Sequence, residues 1–304
     1  MFRRLSPFEY QEVKTIEDAV KLLSLYGSKA EVLAGGVGLI GDMKRGNRSP
    51  EVIVNLRGIP GMNYVNNTGS GALKIGALTS IRTAELSPVV QAGYPSLFEA
   101  VSQIASVQVK TMSTLVGNLC VATPASDIST TLIAWGAQLI IAGPAKTKSI
   151  PLEDFYLGVG KTVLGPGELV AEVVVPPALP GTYTAFLKLA RTRADIAKVN
   201  AAVMVRVIDG ICREARIVLG SIAPTVVRAR TAERLIVGNK LNAEIIEDAA
   251  QTAAQEVRPI TDIRSTEEYR KQMVVVLVRR SLEKCYAQSG GGELNEKGNG
   301  NFYC

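Results

Sequence analysis

The sequence predicts an α+β protein, an α/β front section followed by an antiparallel sheet with helices, and three observations carry that prediction. Short apolar runs alternate with amphipathic stretches as far as residue 177, the rhythm of strand and helix in turn. Three longer strand-like runs follow at 182–190, 197–209 and 212–222, with Asp209-Gly210 as a hairpin signal between the last two. Two helical patterns then close the chain, an alanine-rich one at 243–257 and a longer one at 266–287.

Residues 1–57 read as a first unit. A strand is expected over 9–14 and a helix over 16–26, where Ile16, Ala19, Val20, Leu22, Leu23 and Leu25 supply an apolar face behind Thr15 and Glu17-Asp18. Short strands are expected at 32–33 and 52–56, with a helix at 39–45 between them. Glycine and proline crowd 58–71 and mark a connection. The second unit, 58–177, holds strands at 73–78, 138–142, 150–152 and 168–175, and helices at 80–86 (capped by Thr79), 94–105 and 130–136. The third, 178–288, is expected as a three-stranded antiparallel sheet covered by helices on one face. Residues 289–304, rich in glycine and asparagine, are expected to be a flexible tail.

Composition narrows the function. At 304 residues, 47% apolar and 20% charged, the chain is that of a folded globular protein. No apolar run reaches the roughly 18–20 residues of a membrane helix, and Arg3-Arg4 lead into no apolar signal region, so a cytoplasmic setting is expected. Cys120, Cys212, Cys285 and Cys304 lack CxxC spacing, which argues against an iron–sulfur or zinc framework. The net charge of +6 is dispersed and aromatics are 5%, so no nucleic-acid partner is expected. Histidine is absent, which removes Ser-His-Asp and Cys-His nucleophiles and histidine-ligated metals. No catalytic side chain and no metal ligand is assigned; an organic redox cofactor fits that restriction.

Two stretches point to where such a cofactor would sit. Residues 111–127, TMSTLVGNLCVATPASD, combine small hydroxyl residues, a Gly-Asn pair, a proline-bounded turn and a closing carboxylate. That composition makes a poor helix and a poor strand and is expected to form a loop. Gly117 lets the backbone come close to a ligand, Ser113, Thr114 and Asn118 offer donors to a diphosphate, and Asp127 can accept from a ribose hydroxyl. An ordinary surface loop with Asp127 capping the next helix fits equally well. Residues 31–43, EVLAGGVGLIGDM, place Gly35, Gly36 and Gly38 between a strand and a helix, where N–H groups converge on an anion. A plain tight turn is the competing reading. Neither stretch is a Walker loop or a Rossmann GxGxxG, so another nucleotide-binding fold is implied.

Ala34–Lys44, AGGVGLIGDMK, and Thr114–Asp127, TLVGNLCVATPASD, resemble the two FAD-binding segments of the medium, flavoprotein subunit of molybdenum hydroxylases, the carbon monoxide dehydrogenase and xanthine dehydrogenase family. Leu152–Val170 and Phe186–Ala202 resemble two further family motifs in the same order, so the likeness spans nearly the whole chain. It implies two FAD-binding subdomains, 1–57 and 58–177, of the vanillyl-alcohol-oxidase/PCMH type, and a C-terminal flavoprotein-subunit domain. It also implies an oxidoreductase subunit that passes electrons from the 2Fe–2S clusters of a small subunit through FAD to an external acceptor. A large molybdopterin subunit completes the implied heterotrimer, which pairs into a dimer of heterotrimers.

Carried over by position, the resemblance implies that Leu33, Ala34, Gly35, Gly36, Val37, Gly38, Leu39 and Ile40 form the first FAD segment. Ile104, Thr111, Ser113, Thr114, Leu115, Val116, Gly117, Asn118, Ala122, Ser126 and Asp127 form the second, with Asp127 on a cofactor hydroxyl. Leu164 would pack on the isoalloxazine ring and Lys188 would stand at its polar edge, where positive charge stabilises reduced flavin. Leu164 reads equally as core, Lys188 as a solvated strand lysine, and Arg191, Arg193 and Asp195 as a structural charge network. Two departures stand out: Val116-Gly117 replaces the usual Gly-Gly, adding a branched side chain beside the diphosphate, and Val37-Gly38 replaces a frequent Thr-Asp. A scaffold without FAD, or a stand-alone flavin oxidase, would share the fold; partner genes or partner-free turnover would separate these readings.

Overall fold

In the computed structural model, which describes residues 4–291, the chain opens with β1 (Glu9–Glu12), α1 (Ile16–Tyr26), β2 (Ala30–Leu33), α2 (Val37–Arg45) and β3 (Val52–Asn55). The strands are parallel in the order β1-β3-β2, so each helix is a crossover. Thr15 starts α1 by accepting from the Asp18 N–H at 3.1 Å, and Ala19, Val20 and Leu23 bury its inner face. Central β3 is buried at every position, as a parallel strand covered on both faces should be.

The second unit runs through β4 (Val65–Asn67), β5 (Leu73–Gly76), α3 (Ile81–Leu86), α4 (Pro88–Gly93), α5 (Pro95–Ser102), α6 (Val107–Met112), α7 (Leu115–Cys120), α8 (Asp127–Ala134), β6 (Gln138–Ala142), β7 (Lys148–Pro151), β8 (Tyr156–Gly158), β9 (Lys161–Thr162) and β10 (Leu169–Val175). Five of these strands form an antiparallel sheet in the order β4-β5-β10-β6-β7. Leu97, Leu115, Leu119, Ile128 and Leu132 of the helices are fully buried in one core with Leu73, Ile75 and Leu139 of the strands. Ser80, rather than Thr79, caps α3; the Thr79 hydroxyl instead bonds both backbone groups of Tyr64, tying the connection before β4 to the end of β5.

The third unit comprises β11 (Thr182–Leu189), β12 (Val199–Ile208), β13 (Ile211–Gly220), β14 (Val227–Arg228), α9 (Arg230–Ile236), α10 (Ala243–Gln255) and α11 (Glu267–Gln288). Its antiparallel sheet has four strands, not the expected three, because the short β14 pairs beside β13. The Asp209-Gly210 hairpin forms, with φ of 52° and 75° at its two turn residues. The expectation of one covered face does not hold. Val199–Val205 is buried throughout: Ala201, Val203 and Val205 meet the core under α10 and α11, while Ala202 and Met204 join Phe186 in the core shared with the second unit. In the run VNAAVMV only Asn200 is polar and both alternating sets are otherwise apolar, which is how a strand covered on both sides reads. The tail expected beyond Gly291 lies outside the described residues.

Half-buried ion pairs give the fold a pH dependence. Burial pushes the carboxyls of Glu85, Glu153, Glu168 and Asp262 up, but neighbouring donors outweigh it and hold each below its ordinary value: Lys110 and Arg82 at Glu85, Arg228 at Glu153, Lys148 at Glu168, and Arg270 with the Arg264 N–H at Asp262. With folded values below unfolded ones, their stabilisation is present above the unfolded values and is lost as pH falls through the folded ones. The thermal midpoint should therefore drop steadily as pH falls from about 5 toward 3. An unchanged midpoint at the acid end of that scan would contradict this account.

Candidate functional site

The first glycine stretch is short and tightly placed. After β2, Ala34-Gly35-Gly36 turns the chain into α2, with Gly36 at φ 80° as its N-cap and no side chain capping the first turn. The N–H groups of that turn carry the positive end of the helix. Val37 and Gly38 were expected in the loop but form the first turn of α2, which continues through Leu39 and Ile40; Gly36 takes positive φ and Gly35 does not. Gly35 is required for another reason. A Cβ there would stand 2.4 Å from the Met112 carbonyl oxygen and 2.9 Å from Ser113 Cα and Thr114 N. The two motif stretches thus meet backbone against backbone.

The second stretch is not one continuous loop. It holds the end of α6, all of α7 and the start of α8, with irregular backbone at 113–114 and 121–126, and hydroxyl residues that argue against helix, Thr114 and Ser126, are the caps that make α7 and α8 possible. Ser106 accepts from the Val109 N–H, Thr114 from the Gly117 N–H at 3.0 Å, and Ser126 from the Ser129 N–H at 3.0 Å. Asp127 is therefore the first residue of α8 and not its cap. The Ser126 hydroxyl donates to Asn118 Oδ1 at 2.8 Å, tying α7 to α8. Ser113 and Leu115 bond back to Ile81 and Thr79 at 2.9 Å, which fixes the backbone facing Gly35. Leu115 and Val116 are buried in the core, so the branched side chain of Val116 does not reach toward a ligand. Ala122 holds φ at 50°, and its carbonyl accepts from Gly160 of the β8–β9 hairpin.

A cavity of about 410 Å³ opens where the two stretches meet. Ala34, Gly35, Thr111, Met112 and Thr114 line it from the expected residues. Arg57, Ile59, Gly61, Met62, Asn63, Leu78 and Ser80 line it as well, although no motif singled them out. Most of these belong to the glycine-rich connection, whose composition signals a turn and carries no sign of a wall. Backbone amides, hydroxyls and one cation face this space, with no carboxylate among its lining residues. That donor set, with a glycine whose missing Cβ is filled by the opposite backbone, fits a dinucleotide diphosphate.

Asp127 and Lys188, expected at different parts of the cofactor, meet each other. Lys188 Nζ donates to Asp127 Oδ2 at 2.8 Å, and their side chains are 4% and 6% exposed. Lys188 is thus no solvated lysine. Asn200 Nδ2 donates to Asp127 Oδ1 at 2.6 Å, and Thr130 donates to Asn200 Oδ1 at 3.0 Å. Gly220, opposite Asn200 in the sheet, leaves room for this chain: a Cβ would stand 2.1 Å from Asn200 Oδ1. Burial pushes the Asp127 carboxyl up against the opposing pull of Lys188 and Asn200. Ile104 and Leu164 pack, half-buried, against the larger core. Arg191 and Asp195 form an exposed pair at 3.0 Å, while Arg193 reaches the Ser102 carbonyl instead, so the three do not form one network.

Comparison with known proteins extends this geometry. Residues 6–178 match the FAD binding domain in molybdopterin dehydrogenase, and residues 184–285 match the CO dehydrogenase flavoprotein C-terminal domain. The carbon monoxide dehydrogenase medium chain of Hydrogenophaga pseudoflava is 33% identical over 281 residues, covering 92% of this chain and 98% of its own. The glyceraldehyde dehydrogenase medium chain of Sulfolobus acidocaldarius is 28% identical over 277 residues, covering 91% and 98%. Among solved structures, a carbon monoxide dehydrogenase from Hydrogenophaga pseudoflava aligns with a TM-score of 0.91 at 34% identity, covering 94% of this chain and 99% of that one. Quinoline 2-oxidoreductase from Pseudomonas putida 86 aligns with a TM-score of 0.88 at 25% identity, with the same coverage.

Proposed function

The chain belongs to the FAD-binding medium subunits of the molybdenum hydroxylases, the carbon monoxide dehydrogenase and xanthine dehydrogenase type, and from that premise we propose how it works within such a complex. Its cofactor is FAD and it is an oxidoreductase component. Electrons from iron–sulfur clusters of a small partner subunit enter here and leave to an external acceptor, while a large molybdopterin subunit oxidises the substrate. Bound FAD supplies both one- and two-electron exchange, which suits a relay between clusters and acceptor.

The observation that carries this reading is the backbone contact of Gly35 with Met112–Thr114 beside the uncapped start of α2. In this reading the amides of Gly36 to Leu39 hold the cofactor's diphosphate, and Ser80 and Thr111 line the cavity around it. Ile104 and Leu164 shield its ring from water. Asp127, itself held by Asn200, fixes the Lys188 ammonium in a dry setting, where it opposes negative charge gained on reduction. Among the described residues no helix is long and apolar enough to cross a membrane.

The test is an absorption spectrum of the protein purified with its native partners, followed by acid release of the chromophore. Flavin bands, FAD at about one per chain and iron–sulfur absorption from co-purifying subunits are expected. A colourless chain that also fails to take up added FAD would overturn the reading.

A further inference from the structure

We propose that Arg57 is the cation that neutralises the cofactor's diphosphate in this chain; the inference rests on the FAD reading of the same cavity. Among the described residues Arg57 is the one charged residue that lines the cavity between the two FAD segments. Its backbone is fixed. Asn55 Oδ1 accepts from the Arg57 N–H at 3.1 Å within a single 3₁₀ turn, and Leu56 and Ile59 are buried on either side. The side chain between those anchors is exposed.

The surrounding charges leave Arg57 unanswered. Acids of the same unit are engaged elsewhere: Glu12 with Lys14 at 2.9 Å, Glu31 with Arg48 at 2.9 Å, and Asp42 with Arg45 at 2.7 Å. No carboxylate among the described residues lies within ion-pair distance of Arg57. The start of α2, which follows directly on Ala34 and Gly35 of the cavity wall, adds its own partial positive charge. A guanidinium beside a helix N-terminus, hydroxyl groups and an exposed glycine backbone calls for a ligand with adjacent anionic oxygens. The guanidinium presents a planar fork of donors that matches such oxygens in pairs. No part of the two motif segments contains this residue, so the charge comes from outside them.

The experiment measures ligand affinity of the full chain by quenching of flavin fluorescence, for the wild type, Arg57→Met and Arg57→Lys. Loss of a charge-assisted contact should weaken FAD about ten- to a hundredfold in Arg57→Met, with partial recovery in Arg57→Lys. ADP, used as a competitor, should weaken in parallel, whereas riboflavin, which lacks the diphosphate, should bind wild type and variant alike. Arg57→Met should also flatten the salt dependence of FAD binding. FAD affinity within about twofold of wild type, or equal weakening of FAD and riboflavin, would overturn the assignment. A wild-type chain that binds no FAD would instead sink the broader reading of the cavity.

Discussion

Gly35→Ala is expected to cost the protein most of its affinity for FAD. The new Cβ would lie 2.4 Å from the Met112 carbonyl oxygen and 2.9 Å from two further backbone atoms, none of which can rotate away as a side-chain tip would. The two cofactor segments must separate, and the Met112–Thr114 backbone is held from behind by Thr79 and Ile81. Overpacking of this kind destabilises by about 1–3 kcal/mol. Displacing a binding segment by about 1 Å can weaken a preorganised site a hundredfold. Titration with FAD and a thermal melt would read both effects. Gly69→Ala is the control: a Cβ there meets nothing within 4 Å, and its stability should stay within about 0.5 kcal/mol of wild type. Equal FAD affinity in Gly35→Ala and wild type would show that the contact does not shape the site.

The second large effect is expected at Lys188. Lys188→Met removes the one cation among the described residues that bonds Asp127 and leaves a carboxylate buried with Asn200. Stripping one partner from a buried pair destabilises by about 3–5 kcal/mol. The sign of its pH dependence follows from burial. Without the lysine nothing cationic opposes the burial that already pushes this carboxyl up, so its folded pKa rises above the unfolded value of about 3.9. Stability associated with such a group is present at low pH and lost as pH rises. The deficit of Lys188→Met should therefore shrink on moving from pH 7 to pH 5, by up to about 1.4 kcal/mol per unit. Asp127→Asn in the same chain should recover much of the loss at pH 7. Denaturant unfolding of the two variants and wild type at both pH values measures this. A deficit independent of pH, with no recovery in the double variant, would mean that Lys188 contributes through packing of its aliphatic stem.

Local patterns were legible where local physics decides the structure. Helix α1 was readable to the residue because its apolar spacing, its Thr15 cap and its acidic first turn agree. The β12–β13 hairpin was readable from Asp209-Gly210. The helices within 111–127 were not legible because Ser and Thr are poor helix interiors and good caps. In helices of six residues the caps are a large share of the sequence, so composition speaks for the ends and not the middle. The placement of Gly35 against Met112, the pairing of Asp127 with Lys188, and Arg57 as a cavity wall were not legible. Each depends on chain segments brought together by tertiary packing, and a sequence pattern with a period of two or 3.6 carries no information about them. The one clue to such packing is the scarcity of polar alternates in β12, where Asn200 is the single polar residue between Val199 and Val205.

Strand β12 also bears on how the protein can be handled. The FAD-binding and C-terminal family matches part company near residue 180, just before the strands whose opposite faces feed two different cores. A chain cut at that joint would bare Phe186, Ala202 and Met204 on one fragment and the facing surfaces of α5 and α8 on the other. Each fragment would then present water with an apolar face that has no other partner. The two matched regions therefore need each other to fold, and truncation or separate expression should fail at the seam that sequence comparison makes most inviting.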